Sequence, residues 1–263
     1  MDYFNRDREI KEIRTRKDHK CYGMGLGIML LDDPYPGFPG DVRNASAYSF
    51  PIQYEVIEGV GNKEIAWTDN PSSCLEPTIK AAEKLEKLGC RAIAAECGYF
   101  AFFQKEVAEA VDIPVFMSSL LQVPLIQQVI GPKKNVGIVC AHKKSLSDKH
   151  LASVGVEIGS NYIVAGAQDE YECPEFDKLW GFTPRHFSEA RCNYEKAEEQ
   201  IVRVCLDFCR TNPSIGAIML ECTGFQVFAR AIQHAVDLLV FSWGTLLDYA
   251  FSVVVHRDYY GHV

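Results

Sequence analysis

Residues 91–122 align without a gap on residues 216–247 at a constant offset of 125, and this internal repeat limits the chain to folds that can be built twice. Identical pairs include Ala92 and Ala217, Ile93 and Ile218, Glu96 and Glu221, Cys97 and Cys222, Phe100 and Phe225, and Phe103 and Phe228. The match resumes with Ala110 and Ala235, Val111 and Val236, Asp112 and Asp237, Val115 and Val240, and Phe116 and Phe241. Any two strand-helix-strand units share apolar positions, but they do not readily share E-C-x-x-F-x-x-F, so the repeat marks a duplication. A weaker echo at another offset pairs Gly27 and Ile28 with Gly137 and Ile138. Each half then opens on a Gly-Ile strand and later carries a strand ending in Glu-Cys. Two similar halves about a pseudo-twofold axis are expected, divided near the Gly131-Pro132-Lys133-Lys134 turn, with the active site in the cleft between them.

Short apolar runs at 23–31, 91–96, 113–117, 136–140, 215–221 and 237–242 alternate with segments of helical spacing such as 76–89 and 194–210. This alternation predicts parallel strands buried on both faces and joined by helical crossovers, hence an α/β fold of two pseudosymmetric parallel-sheet halves. The expected division is 21–132 for the N-terminal half, 133–242 for the C-terminal half, and 243–263 for a segment packing back on the N-terminal half. The apolar run 249–255 predicts packing against another element or subunit, and a homo-oligomer is expected. The Pro- and Gly-rich stretch Asp32–Asn44 follows the first strand at the end where open α/β sheets bind ligands. A second irregular stretch, 165–187, is either a cap over the cleft or an insertion.

With 48% hydrophobic and 24% charged residues, disordered, collagenous and coiled-coil readings are excluded. A formal charge of -8 argues against nucleic acid or an anionic membrane as a partner, since both call for concentrated Lys and Arg. Arg14, Arg16, Lys17 and Lys20 interleave with Asp7, Glu9, Glu12 and Asp18, the pattern of a solvated N-terminal helix. No stretch approaches the roughly 18 apolar residues of a membrane span, and the first twenty residues are charged where a signal peptide would be apolar, so a cytoplasmic protein is expected. The ten cysteines should then be reduced thiols. They form no C-x-x-C pair, Cys205 and Cys209 fit an amphipathic helix as core fillers, and the seven histidines show no metal-ligand spacing. No metal is expected. The Gly23, Gly25, Gly27 pattern precedes its strand instead of following it, and the phosphate-loop and G-x-S-x-G motifs are absent, so no cofactor is expected either.

Cys97 and Cys222 each follow a buried strand and precede a helical stretch. A thiol at a helix N-terminus meets exposed N–H groups that stabilise its thiolate, which predicts lowered pKa values. The pseudo-twofold points the two thiols at each other, an arrangement suited to removing a proton from one face of a carbon and returning one to the other. Filling equivalent core positions is the other use of such a pair. Glu96 and Glu221 each precede a cysteine, so in a strand they point to the opposite face, where a structural hydrogen-bonding role is expected.

The residues 94-AAECGYFAFFQ-104, 114-PVFMSSLLQVP-124 and 219-MLECTGF-225 resemble the aspartate/glutamate/hydantoin racemase superfamily, over roughly Gly23 to Gly261. Within it the sequence resembles a bacterial group that is also similar to algal dimethylsulfoniopropionate lyases. The resemblance implies one catalytic cysteine from each half, Cys97 and Cys222, acting on a small carboxylate-bearing substrate as a cofactor-independent racemase or epimerase. β-Elimination from a sulfonium carboxylate by the same cysteines is the alternative, with Tyr99, Phe100 and Phe103 offering ring faces to the cation. A decarboxylase needs only one such thiol, and a two-lobed, non-catalytic carboxylate-binding protein shares the architecture. Amino-acid racemases follow the first cysteine with Asn-Thr, where this chain has Gly98 and Tyr99 followed by Phe100, whereas Thr223 fits the family pattern. Gly98, Tyr99 and Thr223 are therefore candidate substrate-binding residues. Ser118, Ser119, Arg43 and Asn44 are candidates for anion binding, against a helix N-cap for the serines and an ion pair to Asp41 for Arg43.

Overall fold

The computed structural model describes residues 12, 20–35, 37–68, 70–180, 191–259 and 261. The charged N-terminal segment up to Lys17 (Glu12 apart) and residues 181–187 of the second irregular stretch lie outside the described residues. The first half runs β1 (Leu26–Leu31), β2 (Ile52–Ile57), α1 (Asn62–Ile65), α2 (Leu75–Leu88), β3 (Ala92–Ala95), α3 (Gln104–Ala110), β4 (Val115–Phe116) and α4 (Val123–Ile130). The second runs β5 (Asn135–Cys140), α5 (Asp148–Ser153), β6 (Tyr162–Gly166), α6 (Pro174–Trp180), α7 (Tyr194–Thr211), β7 (Ile215–Leu220), α8 (Ala229–Val236), β8 (Leu239–Phe241) and α9 (Trp243–Val254).

The strands form two parallel four-stranded sheets, β2-β1-β3-β4 and β6-β5-β7-β8, which is the same order twice. Their registers also coincide. Gly27 pairs with Ile93 and Ile28 with Ala94, while Gly137 pairs with Ile218 and Ile138 with Met219. The 125-residue offset carries Ile93 onto Ile218 and Ala94 onto Met219, so the repeat and the Gly-Ile echo describe one duplicated strand pair. Glycine is required for close packing in that pair. A Cβ at Gly27 would come within 2.9 Å of Leu85 and 3.1 Å of Cys90, and one at Gly137 within 3.0 Å of Ile215 and Ile218.

The edge strands β2 and β6 were not expected from the apolar runs. Gln53 and Glu55 interrupt the apolar run of IQYEVI, whereas YIVAG is apolar but only five residues long, and its last two fall in the stretch 165–187 read as irregular. The helices follow simpler rules. In α2, Ala81, Ala82 and Leu85 fall on one buried face, and the helix stops at Gly89, whose φ of 96° opens the left-handed cap that glycine adopts without strain. The Asn193 side chain accepts the Lys196 N–H to start α7, where Cys205 is buried in the core and Cys209 is half-buried.

Each sheet is covered on one face by its own helices and on the other by a helix of the opposite half. Met29, Ile93 and Ala95 pack under α2 and α3, and Ile218 and Leu220 under α7 and α8. On the opposite faces, Leu26, Ile28, Ala92 and Ala94 meet Trp243, Leu246, Leu247 and Phe251 of α9. Val136, Ile138, Ala217 and Met219 meet Val123 and Ile126 of α4. Since α4 and α9 follow β4 and β8, equivalent strands of the repeat, the exchange is reciprocal. The apolar run at the C-terminus thus has an intrachain partner, the Phe251 ring stacking on Phe50 with centroids 4.2 Å apart, while Tyr249 and Val253 of the same helix remain exposed. Among the described residues no helix is long and apolar enough to cross a membrane.

Phe251→Ala removes a nearly fully buried ring from the α9 contact and is expected to destabilise the protein by about 3–5 kcal/mol, read from the urea unfolding midpoint.

Candidate active site

β3 and β7 stop one residue short of Glu96 and Glu221, and each glutamate is followed by its cysteine. Cys97 is the N-cap of a 3-10 turn over Gly98–Phe103 that leads into α3, and Cys222 is the N-cap of the equivalent turn over Thr223–Phe228 that leads into α8. The backbone N–H groups of Tyr99 and Gly224 reach the two sulfurs and favour their thiolates. The two thiols interact with each other and line one cavity of about 480 Å³, its open mouth included.

Both thiol pKa values are pushed well above the ordinary cysteine value, which overturns the expectation that a helix N-terminus lowers them. Burial is the largest cause in each case, and the charge of Glu221 adds to it. One N–H donor per sulfur does not offset the loss of water around a thiolate.

The cavity lies at the C-terminal ends of the strands, between the halves. Leu31, Asn62, Ala66, Trp67, Glu96, Cys97, Gly98 and Tyr99 line it from the first half. Ala141, His142, Gln168, Glu221, Cys222 and Thr223 line it from the second. Five candidate residues, Cys97, Gly98, Tyr99, Cys222 and Thr223, therefore share one wall. The Tyr99 hydroxyl donates to the His142 carbonyl and accepts the His142 N–H, both at 2.9 Å, bridging the halves. Phe100, Phe103 and Phe225 are fully or almost fully buried in the core and stand outside the lining, so the rings that line the cavity among the described residues belong to Tyr99, Trp67 and His142.

Ser118, Ser119, Arg43 and Asn44 also stand outside the lining, because their polar groups are committed elsewhere. Ser118 caps the turn Ser119–Gln122 by accepting the Leu120 N–H, and the Ser119 hydroxyl donates to the Leu220 and Glu221 carbonyls at 3.1 and 3.3 Å. Half-buried Asn44 caps a short turn by accepting the Ser46 N–H. The Arg43 guanidinium grips Glu96 through Nε (3.0 Å) and Nη2 (2.7 Å), donates to the Leu31 and Asp33 carbonyls, and lies over the Tyr35 ring. Its ion-pair partner is thus Glu96, whereas Asp41 accepts the Arg43 backbone N–H.

The glutamates correct the sequence reading most. Strand alternation predicts that they face away from the cysteines, but the strands end before them and both line the same cavity as the thiols. Glu96 has a structural role, accepting from Arg43 and from the Leu31 N–H. Glu221 does not. It is 0% exposed, and neither carboxyl oxygen has a hydrogen-bond partner among the described residues. Burial raises its pKa to about 8, against a weaker opposing influence from the Ala141 N–H. Its carboxyl occupies the space over Gly98, where any Cβ would overlap it. The shared E-C pair was the signal that could have found this residue. Asn62, Trp67, His142 and Gln168 come from segments without a motif.

Because burial and Glu221 both hold the Cys97 thiol up, alkylation of Cys97 by iodoacetamide, followed by mass spectrometry, is expected to begin only above the usual cysteine range near about pH 8.5. Glu221→Gln removes the like charge and is expected to move that profile to lower pH.

No protein-family model matches the sequence. The chain is 29% identical over 252 residues to a dimethylsulfoniopropionate lyase of Durusdinium sp. clade D, covering 93% of this chain and 80% of that protein. It is 25–27% identical to dimethylsulfoniopropionate lyases of Emiliania huxleyi, of whose length it spans 46–68%. Among solved structures, a cysteine-for-glycine variant of arylmalonate decarboxylase with associated sulfate superposes with a TM-score of 0.59 at 14% identity, covering 90% of this chain and 98% of that one. An aspartate racemase homologue from Pyrococcus horikoshii gives a TM-score of 0.52 at 19% identity, covering 87% and 98%. The chain has the two-half fold seen in arylmalonate decarboxylase, an aspartate racemase homologue and an allantoin racemase, and it is similar in sequence to dimethylsulfoniopropionate lyases.

Proposed function

We propose that this protein is a cofactor-independent carbon-sulfur lyase that removes the proton α to a carboxylate and expels a neutral sulfide from the β carbon, with dimethylsulfoniopropionate as the type of substrate. The observation that carries this reading is the meeting of Cys97 and Cys222, one from each half, on the wall of a single cavity. The similarity to lyases supports putting elimination ahead of racemisation, the reverse of the order that the sequence resemblance implied.

In this reading one thiolate takes the α-proton. The electron pair of that C–H bond becomes the Cα–Cβ double bond, the Cβ–S bond breaks, and acrylate and dimethyl sulfide leave. The proton on sulfur then passes to solvent. Asn62, whose Nδ2 is buried without a partner among the described residues, and Thr223 supply donors for the substrate carboxylate. The raised thiol pKa values mean that the base form is scarce at neutral pH and grows as pH rises.

Racemisation remains the second reading, favoured by the symmetry of two repeat-related thiols in one cavity, which elimination does not require. The two separate in one experiment, in which the protein is incubated in deuterated water with dimethylsulfoniopropionate or with D- and L-amino acids, with headspace analysis and proton NMR. Dimethyl sulfide and acrylate are expected, with kcat/KM rising from neutral to alkaline pH. Replacing the cysteine that serves as base, tested as Cys97→Ser and as Cys222→Ser, is expected to lower kcat/KM for elimination by about 10³-fold or more, whereas racemisation is expected to be lost with either. Exchange of an amino-acid α-hydrogen with no dimethyl sulfide would reverse the order, and full turnover without either thiol would end both readings.

A further inference from the structure

The duplication is broken at the two glutamates of the site, and the proposed proton transfer makes no use of the difference. Glu96 and Glu221 occupy equivalent positions, yet Glu96 is matched by the guanidinium of Arg43, whereas the Glu221 carboxyl has no cation against it among the described residues, only the weak influence of the Ala141 N–H. Glu221 is held where it is. Its carbonyl accepts the Trp243 Nε1–H at 2.7 Å and the Ser119 hydroxyl at 3.3 Å, and the missing side chain at Gly98 leaves room for its carboxyl. It lines the cavity beside both thiols, and among the described residues no Lys or Arg shares that lining. A carboxyl buried in this way either keeps its proton or receives a cation, since an isolated charge out of water is too costly.

We propose that Glu221 is the counter-ion for an onium centre of the substrate, a sulfonium or ammonium group carried near the acidic carbon, and that it selects such cations over neutral carboxylates of the same shape. The inference rests on the reading of the cavity as a site for small carboxylates and adds the charge that their other end bears. The ring faces of Trp67 and Tyr99, in the same lining, suit the methyl groups of an onium ion. Near neutral pH the free carboxyl carries a proton, so an arriving cation ionises it and sends that proton to the buffer. The other titratable groups around it do not supply that proton. Cys97, Cys222, Tyr99 and Cys140 have raised pKa values and stay protonated, and Glu96 is already paired with Arg43. His142, the remaining titratable side chain of the lining, is unchanged in the variant below, which separates its protons from those of Glu221.

The test is isothermal titration of the full chain at pH 7 with 3-(trimethylammonio)propionate and with 4,4-dimethylpentanoate, its uncharged carbon isostere. The cation is expected to bind about tenfold tighter or better, with a heat that varies between buffers in the sense of proton release. Glu221→Gln is expected to lose both the preference and the proton release while binding the isostere as before. Equal affinities in the wild type, no binding of either ligand, or a preference that survives Glu221→Gln would overturn the inference. The wild-type comparison stands even if the variant does not fold. Cation preference without dimethyl sulfide production removes the lyase reading and keeps this one; dimethyl sulfide production without cation preference does the reverse.

Discussion

A carboxylate withdrawn from water needs a proton, a cation or hydrogen-bond donors, and the two glutamates at the ends of the central strands meet that demand in different ways. Glu96 takes an arginine. Around that pair the first-half loop acquires its shape, because the same guanidinium ties down the Leu31 and Asp33 carbonyls while Glu96 accepts the Leu31 N–H. The loop then reaches into the second half, where Phe38 packs edge-on against Phe228 and the Gly40 carbonyl accepts from Gln226. Glu221 has no such arginine among the described residues. Burial raises its pKa to about 8, and once ionised its charge adds to the burial that holds up the pKa of the thiols sharing its cavity. The repeat supplies two copies of one strand end; a single arginine on one side makes the first copy a structural joint and leaves the second carboxyl without a cation among the described residues.

Much of this was legible in the chain, for reasons that follow from the physics of each element. Central parallel strands are apolar along their whole length, so β1, β3, β5 and β7 announce themselves, and the repeat fixes which of them are equivalent. It also singles out Cys97 and Cys222 among ten thiols. β2 was missed because Gln53 and Glu55 break its apolar run, and β6 because its end falls in the stretch 165–187 read as irregular, whereas the other edge strands, β4 and β8, lie in the apolar runs 113–117 and 237–242. The roles of Glu96 and Glu221 were misjudged because alternation holds only inside a strand, and both residues lie one step beyond it. The sign of the cysteine pKa shifts was misjudged because a helix terminus is a local feature and burial is not. Arg43 was a fair candidate for anion binding until the fold placed a carboxylate 53 positions away in sequence against its guanidinium. Trp67 and Gln168 enter the cavity from loops and Asn62 from the start of the four-residue helix α1, where no periodicity guides prediction.

The exchange of α4 and α9 between the halves decides what kind of cleft this is. Two lobes that each complete their own core can hinge about a linker, but here each sheet is finished by a helix belonging to the other half. The cavity is consequently walled by one continuous packed structure, and the Tyr99 hydroxyl fastens its two sides at the backbone of His142. The same exchange governs the order in which the molecule can assemble. The apolar face presented by Leu26, Ile28, Ala92 and Ala94 is made well before its cover, the helix Trp243–Val254. A growing polypeptide therefore holds that face open until that helix has emerged. The closing contact joins residues more than two hundred positions apart, a topology that slows folding and leaves a sticky intermediate for chaperones to guard.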